Sequence, residues 1–146
     1  MKYEIIKDNL VNLKDPVQAI VNSSNPFISR GGGVCGAIHK AAGFEFTKYC
    51  INLGGLTIMQ SKISPGFNLP YKYVIHTLAP MYKKSKNPKE ELINTYLNAI
   101  NLAKENNIQS STDYLLITSL KDKFTYVYEY KNGWELEYKW SSTVGK

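Results

Sequence analysis

Apolar residues along this chain fall into short runs separated by turn-forming clusters, and strand-like and helix-like spacing alternate. Residues 3–6 (YEII) read as a strand, followed by a turn-rich connection, KDNLVNLKDP, that stops at Pro16. A second apolar run, residues 18–22 (QAIVN), is closed by SSNPF. RGGGVCGAIHKAAG comes next. Three consecutive glycines do not sit cheaply in a regular element, whereas VCGAIHKAA fits a helix closed by Gly43. Residues 44–50 continue helically toward the glycine pair at 54–55, and residues 62–64 and 73–78 read as strands around PGFNLPYK. The clearest helix is 88–106, with Pro88 at its first position, Asn87 as the cap, and Glu90 and Glu91 in the first turn. Leu92, Tyr96, Ala99, Ile100 and Ala103 share one face of it, and residues 114–118 (YLLIT) then read as a buried strand. This alternation predicts an α/β domain with helices on the sheet faces.

The tail differs in kind. FTYVYEY–KNG–WELEYKW alternates as a hairpin, and the loop length sets its register. A two-residue turn sets aromatics against charges. A three-residue loop, Lys131–Asn132–Gly133, pairs Tyr130 with Trp134, Tyr128 with Leu136, Tyr126 with Tyr138 and Phe124 with Trp140, and makes one face wholly apolar. The three-residue loop is the expectation. Its aromatic face needs a cover: the sheet, a partner chain, or single-stranded nucleic acid bases.

Composition narrows the class. The 146 residues, 43% hydrophobic and 21% charged, suit one globular domain over 1–146. No apolar run approaches the ~20 residues of a spanning helix, and MKYEIIKDNL lacks the layout of a signal peptide, so the expected location is cytoplasmic with no membrane partner. Cys35 and Cys50 form no CxxC, and with His39 and His76 as the sole histidines no metal site is expected. The net charge of +6 resides entirely in residues 1–110, which hold 13 basic and 7 acidic side chains. That excess favours an anionic partner: nucleic acid, a phosphate ester or an acidic protein.

Candidate chemistry concentrates in residues 19–43, AIVNSSNPFISRGGGVCGAIHKAAG. A strand, an Asn-rich turn, a glycine triplet and a helix start are the parts of an anion site, because glycines admit close backbone approach and the first helical N–H groups point outward. Neither a Walker loop nor a GxGxxG fingerprint is present. Taken with SPGFNLPYKYVIHTLAP, the segment resembles the macro domain, an ADP-ribose-binding module, over about Tyr3 to Ile108. Residues 1–110 match that family and 111–146 diverge. The resemblance implies a three-layer α/β/α sandwich with a mixed sheet, here carrying an atypical aromatic C-terminal β-hairpin. It further implies a ligand across the carboxyl ends of the strands.

Carried over residue by residue, the resemblance places Asp8, with Asn9 beside it, at the adenine amino group, although Lys7 and Asn9 depart from the family's usual Gly-Asp-Ile-Thr. Asn25 falls at the distal ribose and, in hydrolytic members, at the catalytic water, while Asn22 braces the turn. Gly31, Gly32, Gly33 and Val34 would wrap the diphosphate and distal ribose with backbone donors. Both histidines are structural in the resemblance. Two departures stand out. Cys35 occupies the position after Gly-Gly-Gly-Val where many de-ADP-ribosylating members carry Asp, and a thiol lacks a carboxylate's two acceptor oxygens. In the last third, Thr118 and Ser119 stand where a second, glycine-rich phosphate loop begins, yet no glycine lies between Gly66 and Gly133. The expected function is recognition of ADP-ribose or an ADP-ribosylated protein, with hydrolysis of protein-linked ADP-ribose or O-acetyl-ADP-ribose through Asn25 and without a cofactor. The alternatives are a binder without catalysis and a degenerate macro fold serving as an interaction module.

Overall fold

The computed structural model describes residues 2–6, 9–13, 17–108, 114–118 and 125–129, with side chains placed in 9–13 and 17–108. The elements follow in the order β1 (Lys2–Ile6), β2 (Ala19–Ser23), α1 (Gly33–Ala42), α2 (Phe44–Ile51), β3 (Ser61–Pro65), β4 (Tyr73–Thr77), α3 (Pro88–Glu105), β5 (Tyr114–Thr118) and β6 (Thr125–Glu129). The strands form one mixed sheet ordered β1-β6-β5-β2-β4-β3. β2 runs parallel to β4 and β5, whereas β3 is antiparallel to β4 and β6 is antiparallel to both β5 and β1. By this pairing β1, β2, β4 and β5 all end at one edge of the sheet.

Alternation along the strands builds two cores. Ile20 and Val74 join Ile38, Ala42, Phe46, Cys50 and Leu56 on the α1/α2 face. Their neighbours Ala19, Val21 and Ile75 pack with Ala99, Ile100, Ala103 and Ile108 on the α3 face. A period of two on β2 and β4 thus sends successive residues into opposite layers, which makes the α/β/α sandwich. Tyr71 ties the N-terminal connection down, its hydroxyl donating to the Leu10 carbonyl and accepting from the Leu13 N–H.

Two local expectations are corrected. The hairpin of 124–130 with 134–140 is not the pairing of its first strand: Tyr126 lies opposite Ile5 and Ile117, and Tyr128 opposite Tyr3 and Leu115. With β1 on one edge and β5 on the other, β6 has no backbone edge left for a third strand. The other half of that hairpin lies outside the described residues. Asn87 does stand at the N-cap of α3, but its side chain makes no cap hydrogen bond. Its own N–H is taken up by the Ser85 hydroxyl, and its carbonyl accepts from Glu91 to open the helix.

Candidate functional site

Strand β2 delivers Asn22 and Ser23 to the carboxyl edge, and the chain then turns through residues 24–30 before α1 begins. One side chain organises that turn. Asn25 Oδ1 accepts from the Phe27 N–H (3.1 Å), the Ser29 N–H (3.2 Å) and the Ser29 hydroxyl (3.2 Å), while Asn25 Nδ2 donates to the Ser29 carbonyl at 2.7 Å. The carbonyl group of Asn25 is fully committed to the turn. A carboxamide carries two N–H donors, so the second Nδ2 hydrogen is what Asn25 can offer a ligand. Oδ1 already accepts three bonds within the turn, so any further bond from this side chain would be as a donor.

The glycine loop follows, exposed at Gly31, Gly32 and Gly33. Gly33 sits at φ +55, which a side chain adopts only under strain. The first turn closes through Gly36 N–H to the Gly32 carbonyl at 3.1 Å. The N–H groups before it belong to a helix start, where they lack intrahelical partners and carry the positive end of the helix dipole. Val34 is half-buried and packs on the α1/α2 core, and Cys35 turns inward at 7% exposure. The Cys35 thiol donates to the Ser29 carbonyl and accepts from Asn22 Nδ2, each at 3.6 Å.

Beneath the loop lies a buried polar chain. Asn22 Nδ2 also donates to His76 Nδ1 at 3.2 Å. With Nδ1 accepting, the ring proton falls on Nε2, which faces the Ser64 hydroxyl at 2.9 Å and Cys50 Sγ at 3.5 Å. Burial pushes the His76 pKa down to about 3, with nearby His39 adding to the effect, so the ring stays neutral. Burial likewise lowers the His39 pKa, helped by Arg30, and raises the Cys50 thiol to about 11. His39 Nδ1 bonds the Thr47 hydroxyl at 2.8 Å, and its ring meets Phe46 edge-on at 4.9 Å. Among the described residues, no three His, Cys, Asp or Glu side chains converge as metal ligands.

The remaining expected positions divide. Asn9 is exposed, and its Oδ1 holds a turn by accepting from the Val11 N–H at 3.2 Å. Thr118 ends β5 at the same carboxyl edge, opposite Thr125. Asp8 and Ser119 lie outside the described residues. What sequence reasoning missed is the Asn22–His76–Ser64 connection: residues 22, 64 and 76 sit on three neighbouring strands, and only strand register brings them together.

Comparison with known proteins bears on the family and the fold. The sequence model of the family described as "Macro domain" matches residues 21–112. A macro domain-containing protein of Lactiplantibacillus plantarum is 46% identical over 98 residues, 66% of this chain and 57% of that protein. Human "ADP-ribose glycohydrolase MACROD2" is 47% identical over 96 residues, 64% of this chain and 23% of that protein. The match to an uncharacterised Fusobacterium nucleatum protein covers 54% of its length, so the chain spans about half the length of the first curated relatives. An Oceanobacillus iheyensis macrodomain solved with ADP superposes with a TM-score of 0.60 at 31% identity, covering 75% of this chain and 67% of its own. A Trypanosoma brucei macrodomain in complex with ADP-ribose gives 0.57 at 32%, covering 64% and 38%. With the family model matched over residues 21–112 and the sheet and helices shared with solved macrodomains, this chain belongs to the Macro domain family.

Proposed function

We propose that this chain recognises ADP-ribose, free or attached to protein, across the carboxyl edge of its sheet. The observation that carries the reading is the exposed glycine triplet opening α1 directly beside the Asn25 turn, which aims backbone donors at a ligand's diphosphate. In this reading Gly31, Gly32, Gly33 and Val34 hold the diphosphate and distal ribose, and the remaining Asn25 N–H reaches a ribose oxygen. Asp8 and Asn9 take the adenine, Thr118 borders the diphosphate from the end of β5, and Ser119 is assigned to the diphosphate with it. Relatives described as binding ADP-ribose or acting on it support this choice. We also take 1–146 as one domain, because β5 and β6 insert between β1 and β2 in the sheet. Free buried thiols at Cys35 and Cys50 support a reducing, cytoplasmic setting.

The test is a calorimetric titration with ADP-ribose against AMP. Binding at ~100 μM or tighter, about −5.5 kcal/mol, with AMP much weaker, is the expected result. No heat from folded protein overturns the reading.

Hydrolysis is the second reading, favoured by the likeness to a protein described as an ADP-ribose glycohydrolase. The site constrains how it would run. Asn25 can orient a water by donation but cannot take its proton, because a carboxamide is not a base near neutral pH, and its oxygen already accepts three hydrogen bonds. Cys35 Sγ faces the Ser29 carbonyl and Asn22 rather than solvent. Water activation would then fall to the ligand's own phosphate, with the loop fixing the geometry. Release of ADP-ribose from a modified protein, lost in Asn25→Ala, distinguishes a hydrolase from a binder.

A further inference from the structure

We infer that His76 is a positioning residue of the candidate site, holding the Asn22 carboxamide so that it supports Cys35 and the first turn of α1. The inference deepens the ADP-ribose reading and rests on it for its effect on ligand affinity. Asn22 Nδ2 has two hydrogens, and both are spent, one on His76 Nδ1 at 3.2 Å and one on Cys35 Sγ at 3.6 Å. The amide can face Cys35 in this way only while His76 presents a bare Nδ1. Ser64 Oγ, 2.9 Å from Nε2, accommodates that tautomer on the far side by accepting the ring proton. Cys35 then passes the constraint to the turn through the Ser29 carbonyl, which also receives Asn25 Nδ2. The outer links at Ser29 are half-buried; the inner ones are interior, with Asn22 and His76 0% exposed and Ser64 1% exposed. Water therefore does not compete for these inner bonds, and a broken inner link leaves a buried group unsatisfied. Asn22 Oδ1 is buried with no partner among the described residues, so its fixed orientation rests on the two Nδ2 bonds alone.

Two substitutions separate this role from general support of the core. In His76→Asn the new amide stands where Nδ1 was and keeps an acceptor for Asn22 while dropping Ser64. In His76→Gln the amide reaches the Nε2 position, keeping Ser64 and dropping Asn22. The readout is hydrogen exchange of the Gly36 amide, which closes the first turn on Gly32, measured relative to amides of β4. Gln is expected to speed Gly36 at least tenfold relative to β4 and to weaken ADP-ribose binding about tenfold, whereas Asn stays within threefold of the parent in both. Cys35→Ala, which cuts the far end of the chain and leaves His76 in place, is expected to behave like Gln. Equal effects of Asn and Gln, tracking global stability, overturn the assignment. In the unsubstituted protein, ring ¹⁵N shifts are expected to show a protonated Nε2 and a bare Nδ1. The opposite tautomer overturns the assignment even if a His76 variant fails to fold. Absence of ADP-ribose binding by the parent would sink the ligand reading alone, because the exchange and tautomer measurements need no ligand.

Discussion

Gly36 carries a tighter constraint than the three glycines before it. A Cβ there would stand 2.3 Å from the Gly31 carbonyl oxygen, whereas nothing lies within 4 Å of one built at Gly32. Since the obstacle is backbone, relief requires the loop itself to move. Gly36→Ala is therefore expected to cost about 1–3 kcal/mol, and Gly32→Ala less than about 0.5, in urea unfolding at neutral pH. Equal midpoints for the two would contradict the close approach. At the far end of the proposed ligand, Asp8→Ala is expected to weaken ADP-ribose by about 1–3 kcal/mol through loss of a charge-assisted bond to the adenine amino group. An unchanged Kd removes Asp8 from the site. Cys35→Asp tests the acid that the resemblance places here in many de-ADP-ribosylating members. Its carboxylate could accept from Asn22 Nδ2 but would face the Ser29 carbonyl, so any gain in ADP-ribose release should come with lowered stability.

At the scale of elements, α2 is held by one ring. Phe46 is 0% exposed and touches His39, Phe67 and His76 with centroids 4.9, 6.1 and 5.7 Å away. Phe46→Ala is expected to destabilise by about 3–5 kcal/mol, because the cavity opens between two helices and the sheet where little can collapse into it. Differential scanning calorimetry with an unchanged Tm would refute that packing account. α3 behaves as its sequence periodicity demands, burying Ala99, Ile100 and Ala103, but Thr95 joins them where Leu92 and Tyr96 are only half-buried. Thr95 can be buried because its hydroxyl donates back to the Glu91 carbonyl at 2.8 Å. Element boundaries were legible from breakers and caps. The partner of β6 was not, because its alternating pattern fits any antiparallel neighbour, and the sheet supplies two.

For the whole molecule, the two buried imidazoles set a pH dependence. Both His39 and His76 have native pKa values below the ordinary 6.5, so below pH 6.5, and for His76 down to about 3, the unfolded chain binds protons that the native one refuses. Stability is thus complete above 6.5 and falls as the solution is acidified through that window. From His76 alone the loss between pH 7 and pH 5 is about 2 kcal/mol. Urea unfolding at the two pH values measures it, and His76→Asn should flatten the slope.

The sequence by itself determined the order of strands and helices, the glycine loop that opens α1, and the family, because local periodicity, turn chemistry and contiguous motifs are written in neighbouring residues. Only the tertiary structure decided that β6 lies between β1 and β5, that Asn25 spends its carbonyl on its own turn, and that His76 reaches Asn22. Those outcomes depend on strand register and on which buried polar groups meet across it. Residues 22 and 76 become partners because β2 and β4 run parallel with Asn22 opposite His76, a relation between segments 54 positions apart that no local pattern encodes.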